Sequence, residues 1–334
     1  MNRSSPVTQG ANPYTGTLTP LWMAATDVSI DNHRIQELAR EWSEAPFPIP
    51  DWRQMVFPED DSVFVDFIGI GNTINFAFTN FETYESYQVE YRGQIWRGAY
   101  AMWAALKRAL DNGLPVFDAS YLTRLDQTQF QIIFDGITDL PLARERIAML
   151  RITGAVLADR FRGTFKTLFV APHPSAFGRD GVVTQLVDHF ESFRDIGNFE
   201  PSGTVAQFHK RAQLFAMMYE GRARTSKLLQ SLSDADLIGP IADYSVPRAL
   251  LASGVLKYSE RLHDAIRSHV QIQPSTREEL EIRAVAIRAQ QLLLLEINRL
   301  RSAEHINYIQ LDYKLWTLGR TVKEPHHLTP TTAY

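Results

Sequence analysis

Three short strings in the C-terminal half set charged groups among aromatic and apolar residues. They are Phe208-His209-Lys210-Arg211-Ala212-Gln213, Ala242-Asp243-Tyr244-Ser245-Val246-Pro247 and Leu311-Asp312-Tyr313-Lys314-Leu315-Trp316. A charge taken out of water without a partner is costly, so each is either paired within the protein or turned towards a ligand. Two acids and a lysine framed by rings suit a small, flat, polar ligand that carries an anion.

Each of these charges also has a reading with no chemistry in it. Lys210 shares a helix face with Leu214, Met217 and Met218. A lysine so placed packs its stem and lets its ammonium reach water, whereas Arg211 beside it supplies the fork of a pair able to hold a phosphate. Asp243 stands just ahead of a helix start, where the dipole favours a carboxylate, and plain capping accounts for it as well. Asp312 has Tyr308, Ile309, Leu315 and Trp316 around it. It is either paired with an arginine elsewhere or aimed into a cavity. Upstream, Asn75 in Ile74-Asn75-Phe76-Ala77-Phe78 is either an amide that reads a base edge beside a stacking ring or one that satisfies the backbone of a buried turn.

Other chemistries are excluded. The chain has no cysteine, which removes disulfides, thiolate metal sites and a cysteine nucleophile. Gly69-Ile70-Gly71 follows an apolar run, but the third glycine of a dinucleotide loop falls at Ile74. The adjacent His326 and His327 cannot share one helix face as zinc ligands do, and no serine sits in a nucleophile elbow. No metal and no cofactor is expected. The formal net charge of −4 lacks the basic footprint of a duplex-binding protein. No apolar run is long enough to span a membrane, and the first twenty residues lack the apolar core of a signal peptide. A cytoplasmic location is expected.

The elements that must position these residues are mostly helices. With 334 residues, 45% of them hydrophobic and 22% charged, the chain is long enough for a large core. Residues 1–25 read as a loose arm and residues 26–334 as one compact, mainly α domain, with a few short strands in the N-terminal half. The patterning predicts helices over 28–43, 98–111, 141–157, 182–193 and 205–219. Asp118 or Ser120 starts a helix after the second of these. The run 63–72 is a strand or a short buried helix, which periodicity does not decide. After the break at Gly239-Pro240, a helix over 246–253 follows, with Ser245 as its N-cap. Two overlapping capping boxes at 275–279 launch a long helix to about Arg301, buried around Leu292–Leu295. A last helix spans about 303–318.

Taken in order, the strings resemble the queuosine salvage proteins, the queuosine 5′-phosphate N-glycosylase/hydrolases, from about Ser62 onwards. The resemblance rests on Ile74-Asn75-Phe76-Ala77-Phe78, the segment Trp103 to Leu110, Pro141-Leu142 with Glu145-Arg146, and Phe193-Arg194-Asp195. It continues through the three opening strings, Leu256-Lys257-Tyr258-Ser259 and Glu281-Ile282-Arg283. Three positions depart from the family's usual pattern: His209, Ser245 and Thr79.

The resemblance implies a helical fold similar to the DNA glycosylase superfamily. It implies hydrolysis of the N-glycosidic bond of queuosine 5′-monophosphate to queuine and ribose 5-phosphate. The partner is then a small molecule, with no stable nucleic-acid complex. Asp243 would stabilise the sugar or orient water. Lys210, with Arg211, would hold the phosphoribosyl end or position Asp243, and Asp312 would read the base or its cyclopentenediol. Asn75, Phe78, Tyr244 and Trp316 would line or stack the base. Two other classes stay open at this level: a DNA base-excision glycosylase and a non-catalytic carrier of queuine or a nucleotide.

Overall fold

A computed structural model of the chain describes residues 11–200 and 203–334. Thirteen α-helices and six short strands, paired two by two, make up its regular structure among the described residues. Residues 11–25 are not a loose arm. A 3-10 turn over Thr15–Leu18 leads into α1 (Thr19–Met23), and Leu18 and Leu21 are buried. The Asn12 amide anchors the segment on Gln213 Oε1 at 2.7 Å and on the Gly239 carbonyl at 2.9 Å. Residues 1–10 of the expected arm lie outside the described residues.

β1 (Val28–Ile30) pairs antiparallel with the strand Leu256–Tyr258, so the predicted helix from Val28 starts later, as α2 (Asn32–Trp42). Asp31 caps it by accepting from Arg34 N at 3.0 Å. The undecided run 63–72 is helical: α3 (Asp61–Thr73) is buried almost all round, which explains its missing apolar stripe. A hairpin, β2 (Gln88–Tyr91) and β3 (Gln94–Arg97), precedes α4 (Ala99–Asp111). A Cβ at Gly71 would lie 1.8 Å from the Trp103 ring, so glycine there lets α4 lay that indole on α3.

α5 (Ala119–Thr123) has the expected Asp118 cap, and α6 (Gln127–Phe134) follows. α7 (Ala143–Arg160) begins two residues later than predicted, with Pro141 just ahead of its first turn. The predicted helix over 182–193 is α8 (Val182–His189) and a separate 3-10 turn at Glu191–Phe193.

The C-terminal half carries three of the six strands, against the expectation that they lie in the N-terminal half. β4 (Ile196–Phe199) and β5 (Thr204–Gln207) form a hairpin that takes the start of the predicted 205–219 helix. α9 (Lys210–Ala223) therefore starts at Lys210 itself. α10 (Ser245–Ala252), β6 (Leu256–Tyr258) and α11 (Glu260–Arg267) follow. Ser245 is the first residue of α10 and not its cap; the Asp243 carboxylate does the capping.

α12 (Arg277–Leu300) forms without the two capping boxes, because Ser275 takes φ 61° and the Thr276 side chain makes no cap bond. Burial is densest from Glu279 to Gln290; of the Leu292–Leu295 run only Leu293 is buried, and Leu295 is exposed. α13 (Tyr308–Thr321) starts five residues later than predicted, where Asn307 and Gln310 form a reciprocal capping box.

The core divides into two apolar clusters. One gathers Phe64, Phe67, Trp103, Phe165 and Phe215, and the other Leu38, Leu250, Ile282, Ile287 and Leu315. α9 buries Phe215 in the first, while α10 buries Val246 and Leu250 in the second. α13 serves both, with Ile309 in the first and Leu311 and Leu315 in the second. A Cβ at Gly319 would lie 2.3 Å from the Ser245 carbonyl oxygen, so this glycine sets how closely α13 approaches α10. Among the described residues no helix is long and apolar enough to cross a membrane.

Candidate active site

Where α9, the start of α10 and α13 meet, the side chains line a cavity walled mostly by rings and apolar groups. Lys210, Asp243, Asp312, Asn75, Phe78, Tyr244 and Trp316 all line it. Residues scattered over more than 240 positions of sequence thus meet at one place.

Asp243 uses its two oxygens differently. Oδ1 accepts the backbone N–H groups of Ser245 at 2.7 Å and Val246 at 3.2 Å, which caps α10. Oδ2 lies 3.5 Å from Lys210 Nζ, and both side chains are less than a tenth exposed. Capping and a place in the cavity are therefore one arrangement and not alternatives. The lysine does not snorkel to water; its ammonium stays inside, paired with Asp243. Its helix start is fixed from below. Asp195 accepts the Lys210 N–H at 3.2 Å and receives Arg283 Nη1 at 3.0 Å, and Arg283 in turn meets Glu279 at 3.3 Å. Hence the Phe193-Arg194-Asp195 and Glu281-Ile282-Arg283 strings act behind the site, as supports for Lys210.

Asp312 has no arginine partner and forms no side-chain hydrogen bond among the described residues. Burial, and then the negative charge of Asp243, push its carboxyl up to about 8, against the opposing pull of Lys210. An acid in that state holds its proton at neutral pH and presents one donor and one acceptor. Asp243 and Asp312 thus form a pair of acids held in different environments, an arrangement suited to dividing acid and base work.

Arg211 is not brought to the cavity. Its guanidinium is buried and spends its donors on main-chain carbonyls: Asn72 at 3.1 Å, Thr332 at 2.6 Å, Ala333 at 3.3 Å, and also Thr73 and Ser192. Side chains adjacent in a helix point about 100° apart, so Lys210 facing the cavity sends Arg211 behind it. Behind the cavity, Arg211 joins Arg146, which donates to the Phe76 and Ala77 carbonyls. Their guanidinium carbons lie 4.2 Å (Arg146) and 5.0 Å (Arg211) from the Phe76 ring centre. These two cations clamp residues 72–77 and so set Asn75 and Phe78 in the wall. Asn75 donates to Asn72 Oδ1 at 3.1 Å, an internal bond that leaves its own carbonyl free for the cavity.

Several lining residues were not singled out for the site from the sequence: Trp52, Tyr100, Trp103, Met217, Tyr313 and Tyr334. Tyr313 was legible, because Ile309, Asp312, Tyr313 and Trp316 follow the three–four spacing of one helix face. Trp52 and Tyr334 come from irregular segments with no period to find. The Pro/His/Thr-rich tail is in fact wall: Ala77 N donates to the Tyr334 carbonyl at 3.1 Å, and His326 stacks on Tyr244 at 4.2 Å.

Comparison with known proteins accords with this geometry. The family model described as queuosine salvage protein matches residues 55–334. A protein of Sphaerobacter thermophilus named queuosine 5′-phosphate N-glycosylase/hydrolase is 33% identical over 316 residues, covering 93% of this chain and 94% of that one. Proteins of the same name from Bos taurus and Mus musculus are 30% and 29% identical; they cover 96% and 92% of this chain, and 99% and 94% of their own lengths are matched.

Proposed function

Since the chain belongs to the queuosine salvage protein family, we propose that it hydrolyses the N-glycosidic bond of queuosine 5′-monophosphate, releasing queuine and ribose 5-phosphate. The observation that carries the reading is the convergence of Asp243, Lys210 and Asp312 on one ring-lined cavity.

Cleaving the bond between the anomeric carbon and the base leaves oxocarbenium character on the ribose. Asp243 faces that charge or orients the attacking water, as carboxylates do in glycoside hydrolysis. Its Oδ1 is pinned by two backbone N–H groups, which leaves Oδ2 for the sugar. Lys210 positions Asp243 from the other side. The oxygen of water ends on the anomeric carbon and keeps one of its protons as the new hydroxyl, and the other proton ends on the base.

A 7-deazaguanine has carbon where purines have N7, so the leaving base loses the usual site for protonation. Asp312 answers this as a neutral acid. Its O–H donates to the carbonyl of the base and its C=O accepts the neighbouring N–H, which spreads the charge that builds on the leaving group. Phe78, Tyr244 and Trp316 hold the base flat between them, with Asn75 at its edge. The helical fold fits a kinship with the DNA glycosylases, which cut the same kind of bond. The enclosed cavity and the net charge of −4 favour a mononucleotide over a duplex. A cytoplasmic location accords with a chain that has no cysteine.

Replacing Asp243→Asn tests the assignment, because asparagine keeps the capping oxygen and loses the charge. Binding of queuosine 5′-monophosphate is expected to stay within several-fold of wild type while kcat falls by about 10²–10³. Turnover near wild type sinks the assignment.

A further inference from the structure

With Lys210 held by Asp243 and Arg211 turned away, the phosphate of the substrate needs another cation. A second chamber, open on one side, adjoins the cavity and shares Ala99, Tyr244 and Trp316 with it. Its wall carries Arg97, Arg248 and Arg320, with His269 and His326, and no aspartate or glutamate. The three arginines are a concentration of positive charge in a chain whose net charge is −4.

The arginines are placed to serve a ligand that reaches out of the cavity. Arg320 lies over the cavity's own rings, its guanidinium carbon 4.5 Å from the centre of Tyr100 and 4.9 Å from that of Trp316. Its N–H groups form no hydrogen bond among the described residues. Arg248 donates from Nη2 to the Val322 carbonyl, but its Nε is buried without a hydrogen-bond partner among the described residues. The acid that acts on it, Glu324, is outside the chamber's lining. Arg248 lies on α10, the short helix that Asp243 caps, so one element bears on both the anomeric carbon and whatever lies beyond the ribose. A phosphate monoester presents three oxygens, which suits forked guanidinium donors better than a single ammonium.

We propose that this arginine-lined chamber is the 5′-phosphate subsite, with Arg248 and Arg320 as its principal donors. The inference rests on the salvage reading given above. It moves the phosphate away from Lys210, whose work is confined to Asp243.

The test is the ratio of kcat/KM for queuosine 5′-monophosphate to kcat/KM for queuosine. In Arg248→Gln and Arg320→Gln that ratio is expected to fall about tenfold to a hundredfold. In Arg299→Gln, which removes a charge from a different groove, it is expected to hold. Lys210→Met is expected to lower both substrates together and keep the ratio. A ratio unchanged in both chamber variants, one that falls as far in Arg299→Gln, or one that collapses in Lys210→Met overturns the proposal. Should the wild type cleave neither substrate, the salvage reading fails, and calorimetry with ribose 5-phosphate decides the subsite by itself. Binding at least tenfold weaker in both chamber variants supports it; equal binding, or none to wild type, overturns it.

Discussion

Asp243 and Asp312 are two acids set to different tasks by what surrounds them. One is tied down by backbone N–H groups and a lysine, and the other is left among rings. With its carboxyl pushed up to about 8, Asp312 keeps its proton at neutral pH and releases it as the pH rises through that value. If the neutral acid engages the base, kcat/KM is level below about pH 8 and declines above it. Asp312→Asn still offers donor and acceptor groups and cannot ionise. This variant is expected to stay active and to lose the alkaline decline in a pH–rate profile. A decline that persists unchanged with asparagine removes Asp312 from that role. At this scale the sequence speaks through residue type: an acid or a lysine among aromatics is conspicuous, and seven of the eight singled-out residues line the cavity. Arg211 misleads because adjacency in sequence is not adjacency in space on a helix.

Elements were legible where a period or a cap stood clear. α4 and the Asp118 cap of α5 follow the pattern closely. The start of α9 does not, because Val205 belongs to a hairpin whose partner strand lies upstream, beyond the reach of any local period. The same difficulty hides β1, whose partner is more than 200 residues away. The capping boxes ahead of α12 fail because Ser275 is held at φ 61°, where its hydroxyl no longer reaches the helix. One contact between elements bears directly on the chemistry. Gly319 lets α13 rest on the Ser245 carbonyl, so it fixes the distance between the helix of Asp312 and the cap at Asp243. Gly319→Ala is expected to cost about 1–3 kcal/mol of stability, the usual cost of overpacking. Turnover is expected to fall as well, because the two acids are moved apart. Thermal unfolding and kcat, measured on the same preparation, check both. An unchanged kcat with lowered stability shows that the acids tolerate the shift.

The whole molecule builds an interior site against the first of its two apolar clusters and closes it with its own C-terminal residues. Arg211 ties the α9 side of the cavity to the carbonyls of Thr332 and Ala333, and Tyr334 completes the wall. None of this was legible, since a tail rich in proline, histidine and threonine has no period and its partners are set by tertiary contact alone. The net charge was informative at this scale, because it argued against a duplex partner before any cavity was known. The central claim is that the chain adds water across the bond between queuine and ribose 5-phosphate. The most direct measurement is product analysis after incubation with queuosine 5′-monophosphate in ¹⁸O-labelled water. Free queuine and ribose 5-phosphate in equal amounts, with the label at the anomeric position of the sugar, are the expected result. Substrate that binds and is recovered intact contradicts the account.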